Sequence, residues 1–259
     1  MRVDRSDQVD RGGGVDDRMQ DDLDDGDDAH ELWRAQANRG RFARLVAEFN
    51  LRPDRYVDPS WPLGIWPAPW NEIERFGERG RRVLARALFD TVGLHEDESG
   101  SVPADYDFAS RDKRVALLPS DVFEQLAHLC GLCLHRSWLV SGEVTRGVEK
   151  ALQLGFGAET MAFVRNETPP FDAVSETLEP MRRYPKLVVQ KIGARGARLL
   201  LDFIAPAGLP VYARTRLKLP RIADVQPAYC LGDAQRAEFA EVLFLCLIPE
   251  RLRAWDWLF

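Results

Sequence analysis

The clearest pattern of apolar positions in this chain lies between Ser120 and His135. At 100° per residue, one side of a helix is apolar and comprises Val122, Phe123, Leu126, Ala127, Leu129, Cys130, Cys133 and Leu134. The other side comprises Glu124, His128, Gly131 and His135. Leu132 is the exception to this pattern. A short polar side chain, Ser120 or Asp121, can cap the first turn. The pattern predicts a helix that packs on a core through its leucines and thiols.

Further helices are predicted where apolar residues repeat every three or four positions. They cover residues 29–49, 71–92, 141–152, a stretch from Gly155 or Gly157 to 166, 187–204 and 233–248. The second half of the last helix is apolar nearly all round, so it is expected to be buried. Together these segments predict a mainly α fold, a multi-helix globular domain with long extended loops and at most a short strand element.

Three segments depart from the helical pattern. Residues 49–70 contain five prolines and three tryptophans and are predicted to be extended, because proline fixes φ and lacks a donor. Residues 211–219 alternate strictly and predict a short strand, although a helix stays open as an alternative. Pro249 is predicted to end the last helix, and the apolar residues after it, including Trp255 and Leu258, are predicted to dock on the core.

The net charge of −6 is concentrated at one end of the chain. Residues 1–28 hold eleven Asp against four Arg, a balance of −7, so the remainder carries about +1. Such a segment has too little apolar surface to offset the entropy of ordering, and we predict a disordered acidic tail over 1–28. The folded domain is then 29–259. Thr168, Pro169 and Pro170 mark a candidate boundary between lobes 29–168 and 171–259.

Composition points to a protein of the reducing cytoplasm. The 259 residues are 45% hydrophobic and 29% charged, and the four cysteines form no regular disulfide framework. The first residues are charged rather than apolar, which does not fit a signal peptide. The longest purely apolar run, 242–248, is too short for a bilayer, which needs about 20 residues. No direct insertion into a membrane is predicted.

A candidate metal motif, H-x-C-x-x-C-x-H, is formed by His128, Cys130, Cys133 and His135. Zinc accepts these ligands in a tetrahedron. On a helix, however, the histidines and the cysteines point to opposite sides, so four ligands cannot meet one ion. A zinc protein therefore remains only an alternative that requires a non-helical segment. The favoured interpretation is two buried thiols and two solvent-facing imidazoles, with neither metal nor cofactor.

The most basic part of the chain is residues 181–221. It carries +9, from Arg182, Arg183, Lys186, Lys191, Arg195, Arg198, Arg214, Arg216, Lys218 and Arg221 against Asp202 alone. We predict that five of these bind an acidic partner surface: Arg182, Arg183, Arg214, Arg216 and Lys218. Nucleic-acid binding is the alternative, because clustered Lys and Arg release counterions from phosphates. The acidic tail and the lack of a recognised binding motif disfavour it.

A second basic stripe lies on the helix predicted over 71–92. Its arginines, Arg75, Arg79, Arg82 and Arg86, recur at steps of three and four residues. The preferred interpretation is a solvated face paired with Glu72, Glu74 and Glu78.

Five segments, in this order and spacing, resemble one known family. They are FNLRPDRYVDPSW (49–61), LAHLCGLCLHRSWL (126–139), LGFGAETMAFV (154–164), RLKLP (216–220) and IPERLRAWDWLF (248–259). The chain after residue 40 resembles the SctK (YscK, PscK) accessory proteins of bacterial type III secretion injectisomes.

This resemblance implies a non-enzymatic, mainly helical cytoplasmic adaptor of the sorting platform. Such a protein lies at the cytoplasmic face of the inner membrane, where it joins an SctD-type ring protein to an SctQ-type pod protein. The residues themselves are compatible with that role, because they contain no convergent acid/base pair, nucleophile signature or phosphate loop.

Overall fold

The computed structural model describes residues 21–259 except 68–71, 73–74, 95–102, 172–173, 175, 177, 179–183 and 224–225, with side chains from residue 35 onward except that of 223. In these residues the α-helices are α1 (Asp21–Leu51), α2 (Ser60–Ile65), α3 (Glu78–Thr91), α4 (Arg111–Arg114), α5 (Ser120–Leu134), α6 (Arg136–Val140), α7 (Arg146–Phe156), α8 (Ala158–Asn166), α9 (Pro185–Ile204), α10 (Leu209–Arg216), α11 (Asp233–Val242) and α12 (Ile248–Arg251). Within this described part there is no strand, which confirms the mainly helical prediction.

The chain divides into two compact units, Met1–Phe42 and Ala43–Phe259. Most of the predicted acidic tail, residues 1–20, lies outside the described residues, and α1 as described begins at Asp21. Within the second unit, α5 packs on α9, although these helices come from opposite sides of the candidate lobe boundary at 168–171. The two candidate lobes therefore share one core.

The centre of that core is the crossing of α5 and α9. The helices touch through Gly131 and Gly196, where a methyl group on either glycine would overlap the backbone of the other helix. Glycine permits this approach because it has no Cβ. α6 and α8 also pack on α5. This explains why Leu132, the exception in the helical pattern, is fully buried with its neighbours.

The proline- and tryptophan-rich segment is not wholly extended. Pro53 begins a short 3₁₀ turn, Pro53–Arg55, and α2 covers Ser60–Ile65. Proline is tolerated at the start of a helix because that N–H has no intrahelical partner. Tyr56 and Trp61 from this segment join one hydrophobic cluster with Leu88, Phe89, Leu94, Ala213 and Leu217. Residues 68–70 of the segment lie outside the described residues.

The predicted strand over 211–219 is wrong, since Leu209–Arg216 form helix α10. Gly208 enters the helix at φ 97°, and Pro210 occupies its first turn. A strand needs a neighbouring strand for its backbone hydrogen bonds, and none exists in the described residues. The helix satisfies those groups internally, and Thr215 Oγ1 also donates to Val211 O at 2.7 Å.

Several helix boundaries also differ from prediction, including the start of α3, which lies at Glu78 and not at residue 71. α7 begins at Arg146 instead of residue 141, and Thr145 caps it through Oγ1, which accepts from Val148 N. The last predicted helix is interrupted by a π-helical turn, Leu243–Leu247, and Pro249 lies in the first turn of α12 instead of ending the helix.

The C-terminus docks on the core as predicted. Leu258 is buried, its carbonyl oxygen accepts from Arg114 Nη1 at 3.2 Å, and the Phe259 ring lies 5.4 Å from that of Phe244. No helix in the described part of the chain combines the length and the hydropathy that crossing a bilayer requires.

Candidate functional site

The two thiols of α5 lie in the core. Cys130 and Cys133 are buried and free, as predicted. Burial raises the pKa of Cys130 well above its usual value and that of Cys133 to about 12, so both stay protonated. Across the described residues, no three His, Cys, Asp or Glu side chains are placed to hold a metal ion.

The two imidazoles behave differently, and the prediction of a solvent-facing His135 is wrong. His135 is buried at the C-terminal end of α5, with its Nε2 3.3 Å from Arg195 Nη1. Burial, and secondly the Arg195 charge, lower its pKa to about 3, so the ring is neutral. Arg195 also pairs with Glu176 at 2.7 Å. His128 is partly exposed and packs edge-on against Phe156.

Lys218, predicted to bind a partner, is instead buried. Its Nζ donates to Ala116 O at 2.7 Å and Leu118 O at 2.6 Å, and it lies 5.2 Å from the ring centroids of Phe49 and Tyr56. Burial lowers the pKa of Lys218 to about 7. The ammonium group thus holds the loop before α5 against the end of α1 and the segment that follows it.

Arg214 is buried in the same region. Its Nη1 donates to Pro103 O and Pro210 O at 2.9 and 3.1 Å, and the guanidinium lies over Phe89. The expectation of an exposed basic face is therefore wrong for Arg214 and Lys218, because the segment is a helix and turn set into the core. Arg216 is half-buried over Trp61, with its Cζ 5.0 Å from the ring centroid. Arg182 and Arg183 lie outside the described residues.

Two further arginines of the basic segment are neutralised by carboxylates. Arg198 bonds to Asp202 at 2.7 Å and Arg195 pairs with Glu176, whereas Lys191 bonds to the uncharged side chain of Gln226. In the described part of 181–221, Lys186 and Arg221 remain exposed, and Arg221 lies over the Trp61 ring. A sequence charge of +9 thus yields no continuous basic surface there.

A basic surface exists on α3 instead. We call Arg79, Arg82, Val83 and Arg86 the α3 arginine face, because they are exposed and spaced three and four residues apart. Arg82 bonds to Glu78 at 2.7 Å and Arg75 pairs with Glu72, in agreement with the predicted pairing, whereas Glu74 lies outside the described residues. Arg82 and Arg86 also line a cleft of about 440 Å³.

A second exposed surface has the opposite charge. A groove of about 510 Å³ runs between the end of α8, α11 and α12. Its rim consists of four exposed carboxylates, Glu167, Glu238, Glu241 and Glu250. Its apolar lining includes Phe163, Pro169, Pro170, Val242, Leu245 and Cys246. We call this the acidic groove.

Leu245 is a large apolar side chain of the acidic groove that is 72% exposed. The sequence predicts the second half of this helix to be buried, and for Leu245 that prediction is wrong. Burial, and secondly the carboxylates of Glu250 and Glu167, raise the pKa of Cys246, in keeping with the negative charges around the groove. Glu238 and Glu241 are three residues apart and therefore lie on one helix face. This spacing is the sequence signal from which the acidic groove could have been predicted.

Comparisons of this chain with protein-family models, with curated proteins and with solved structures found no match.

Proposed function

We propose that this chain is an SctK-type adaptor of a bacterial type III secretion system. In that role it links an SctD-type inner-membrane ring protein to an SctQ-type pod protein at the cytoplasmic face of the inner membrane. It does so as a non-enzymatic protein through its surface. One observation carries the proposal: segments that resemble the SctK family and lie far apart in sequence contact one another in two groups, 49–61 with 216–220, and both 126–139 and 248–259 with 154–164.

The first contact joins segments 49–61 and 216–220. Trp61 Nε1 donates to Leu219 O at 2.9 Å, and Asp58 N donates to Leu217 O at 2.8 Å. Lys218 lies over Tyr56. Two segments that are about 160 residues apart are therefore held together by three interactions. They are the hydrogen bond of the Trp61 indole, a backbone hydrogen bond and the contact of the Lys218 ammonium with an aromatic ring.

Two further contacts converge on segment 154–164. Arg136, from segment 126–139, donates through Nε to Val164 O at 3.1 Å. Arg251, from segment 248–259, bonds to Glu159 at 2.7 Å and lies over the Phe163 ring. Contacts between the resembling segments are what a resemblance that extends through the fold requires, and they support the proposed membership of the family.

The two charged surfaces support a role between two partners. The α3 arginine face is basic and the acidic groove is acidic, and each contains an exposed apolar residue, Val83 at 67% and Leu245 at 72%. Complementary charge sets partner choice and association rate. An adaptor that distinguishes two proteins can use two surfaces of opposite sign.

Co-purification tests the proposal directly. The full chain, tagged and expressed with the SctQ-type and SctD-type proteins of the same bacterium, is expected to retain both, and deletion of its gene is expected to stop secretion. Retention of neither partner, together with unchanged secretion in the deletion strain, would contradict the adaptor.

The basic segment gives little support to nucleic-acid binding, because Arg195, Arg198, Arg214 and Lys218 are buried or paired with carboxylates. A filter-binding titration with duplex DNA over a range of salt concentrations is expected to show only weak association.

A further inference from the structure

We propose, building on the adaptor function, that the acidic groove binds a basic amphipathic segment of a partner protein. An aliphatic side chain of that segment packs on Leu245, and its Lys or Arg side chains bond to Glu238, Glu241 and Glu167.

The exposure of Leu245 is imposed by the backbone. In the π-helical turn Leu243–Leu247, the Ile248 N–H donates to Leu243 O, a bond across five residues. Such wide turns inside helices often occur at functional positions. The neighbours of Leu245 are buried: Leu243, Phe244 and Leu247 all face the core.

Phe244 fixes the turn. Its ring lies 6.3 Å from that of Phe203 and 5.4 Å from that of Phe259, and the Arg111 guanidinium lies 4.7 Å above it. Since Phe244 cannot rotate outward without breaking these contacts, Leu245 cannot rotate inward to replace it. The large apolar side chain of Leu245 is thus held in solvent, and exposed apolar surface of this kind marks sites of protein–protein contact.

The rim defines the charge of the occupant. Glu250 is bonded to Arg253 at 3.1 Å. In the described part of the chain no Lys or Arg lies within salt-bridge distance of Glu238 or Glu241, which are both exposed. Two uncompensated carboxylates beside an apolar surface favour a ligand that supplies both positive charge and an aliphatic group.

The geometry also disfavours other occupants. The acidic residues 1–28 of this chain, at −7, would be repelled by the rim. A bare metal ion would leave Leu245 exposed, and no group of carboxylates is arranged for one in the described residues. The volume of about 510 Å³ lies within the range of about 300–1,000 Å³ that is typical of ligand pockets.

The experiment combines variants with site-specific crosslinking in the full chain. Glu238→Lys/Glu241→Lys and Leu245→Ser are each expected to weaken binding of one of the two partners, SctQ-type or SctD-type, by about tenfold or more. The matched controls are Asp121→Lys/Glu124→Lys, with the same charge change on exposed α5 positions, and Leu154→Ser, at a leucine that is 79% exposed on α7. Both controls are expected to bind like the wild type.

A photoreactive amino acid at position 245 is then crosslinked in cells, with position 154 as control, and mass spectrometry identifies the adduct. The proposal expects a crosslink from position 245 and none from position 154. The crosslinked partner segment should have net positive charge and contain an aliphatic residue. An acidic or neutral segment, no adduct, or an adduct to residues 78–91 of a second copy would overturn it. If the wild type binds both partners but the groove variants bind equally well, the groove assignment fails while the adaptor function stands. If the wild type binds neither partner, the adaptor function itself fails.

Discussion

Gly131 on α5 and Gly196 on α9 lie against each other where the two central helices cross. A Cβ on Gly131 would overlap Ile192 O, and a Cβ on Gly196 would overlap Ala127 O. Both obstacles are backbone atoms of buried helices, which cannot move aside as a flexible side chain can. The close packing of α5 on α9 therefore depends on the absence of a Cβ at both positions.

Gly196→Ala is expected to destabilise the protein by about 3 kcal/mol or more, because it forces α5 and α9 apart. Gly147→Ala in α7 is the matched control, since the nearest atom to its added Cβ would be Pro185 Cγ at 3.8 Å. That control should be neutral or slightly stabilising. Urea denaturation measures both, and an equal response of the two variants would contradict the close crossing.

His135 is expected to make the fold acid-sensitive. Its pKa is lowered from 6.5 to about 3 in the folded state, so the unfolded chain binds a proton first as pH falls. The stability that the neutral His135 ring contributes is fully present above pH 6.5 and is lost as the pH falls from 6.5 to 3. About 2 kcal/mol of the free energy of unfolding is already lost at pH 5. Denaturation at pH 7.5 and 5 should show this loss in the wild type and a smaller loss in His135→Gln.

His128→Gln serves as the comparison for His135, because the His128 ring is partly exposed. It should leave most of the acid sensitivity in place. A pH profile that is the same in wild type and His135→Gln would show that the His135 ring is not buried in its neutral form.

Lys218 is expected to make the stability of the fold depend on pH above 7, whereas His135 does so below 6.5. Burial lowers its pKa from 10.5 to about 7, so between these values the unfolded chain holds the proton more tightly than the folded one. Stability contributed by this group therefore rises with pH, by about 2 kcal/mol from pH 7 to 9. Lys218→Met should remove that rise, measured as the difference in unfolding free energy between wild type and variant.

Lys186→Met is the control for Lys218, because Lys186 is exposed on α9. It should keep the wild-type pH profile. At all pH values Lys218→Met also leaves the Ala116 and Leu118 carbonyl oxygens without this donor, which should cost about 1–3 kcal/mol.

Thiol reactivity distinguishes the buried cysteines from the others. Cys230 is exposed and Cys246 is half-buried, whereas Cys130 and Cys133 are in the core with raised pKa values. A colorimetric thiol reagent at pH 8 should modify Cys230 fastest and reach Cys130 and Cys133 only after unfolding in guanidinium. Rapid reaction of either α5 thiol in the native protein would contradict its burial.

The sequence alone predicts the helical class of the fold because periodicity is a local property. The apolar positions of α5 and α9 repeat at helical spacing, and burial of Cys130 and Cys133 follows directly from that spacing. The docking of Leu258 also follows, because apolar side chains at the end of a chain are stabilised by contact with the core. These inferences need no knowledge of which helix packs on which.

Only the tertiary structure decides which surfaces face solvent. His135 and Leu132 lie on the polar side of the α5 pattern but are buried, because α6, α8 and α9 cover that helix from several directions. Arg214 and Lys218 look like a basic surface in sequence, yet backbone carbonyl oxygens from distant segments surround them. Leu245 is apolar but exposed, because a π-helical turn rotates it away from the core. In each case the physical reason is the same: burial is set by neighbours that are far away in sequence, which a local pattern cannot contain.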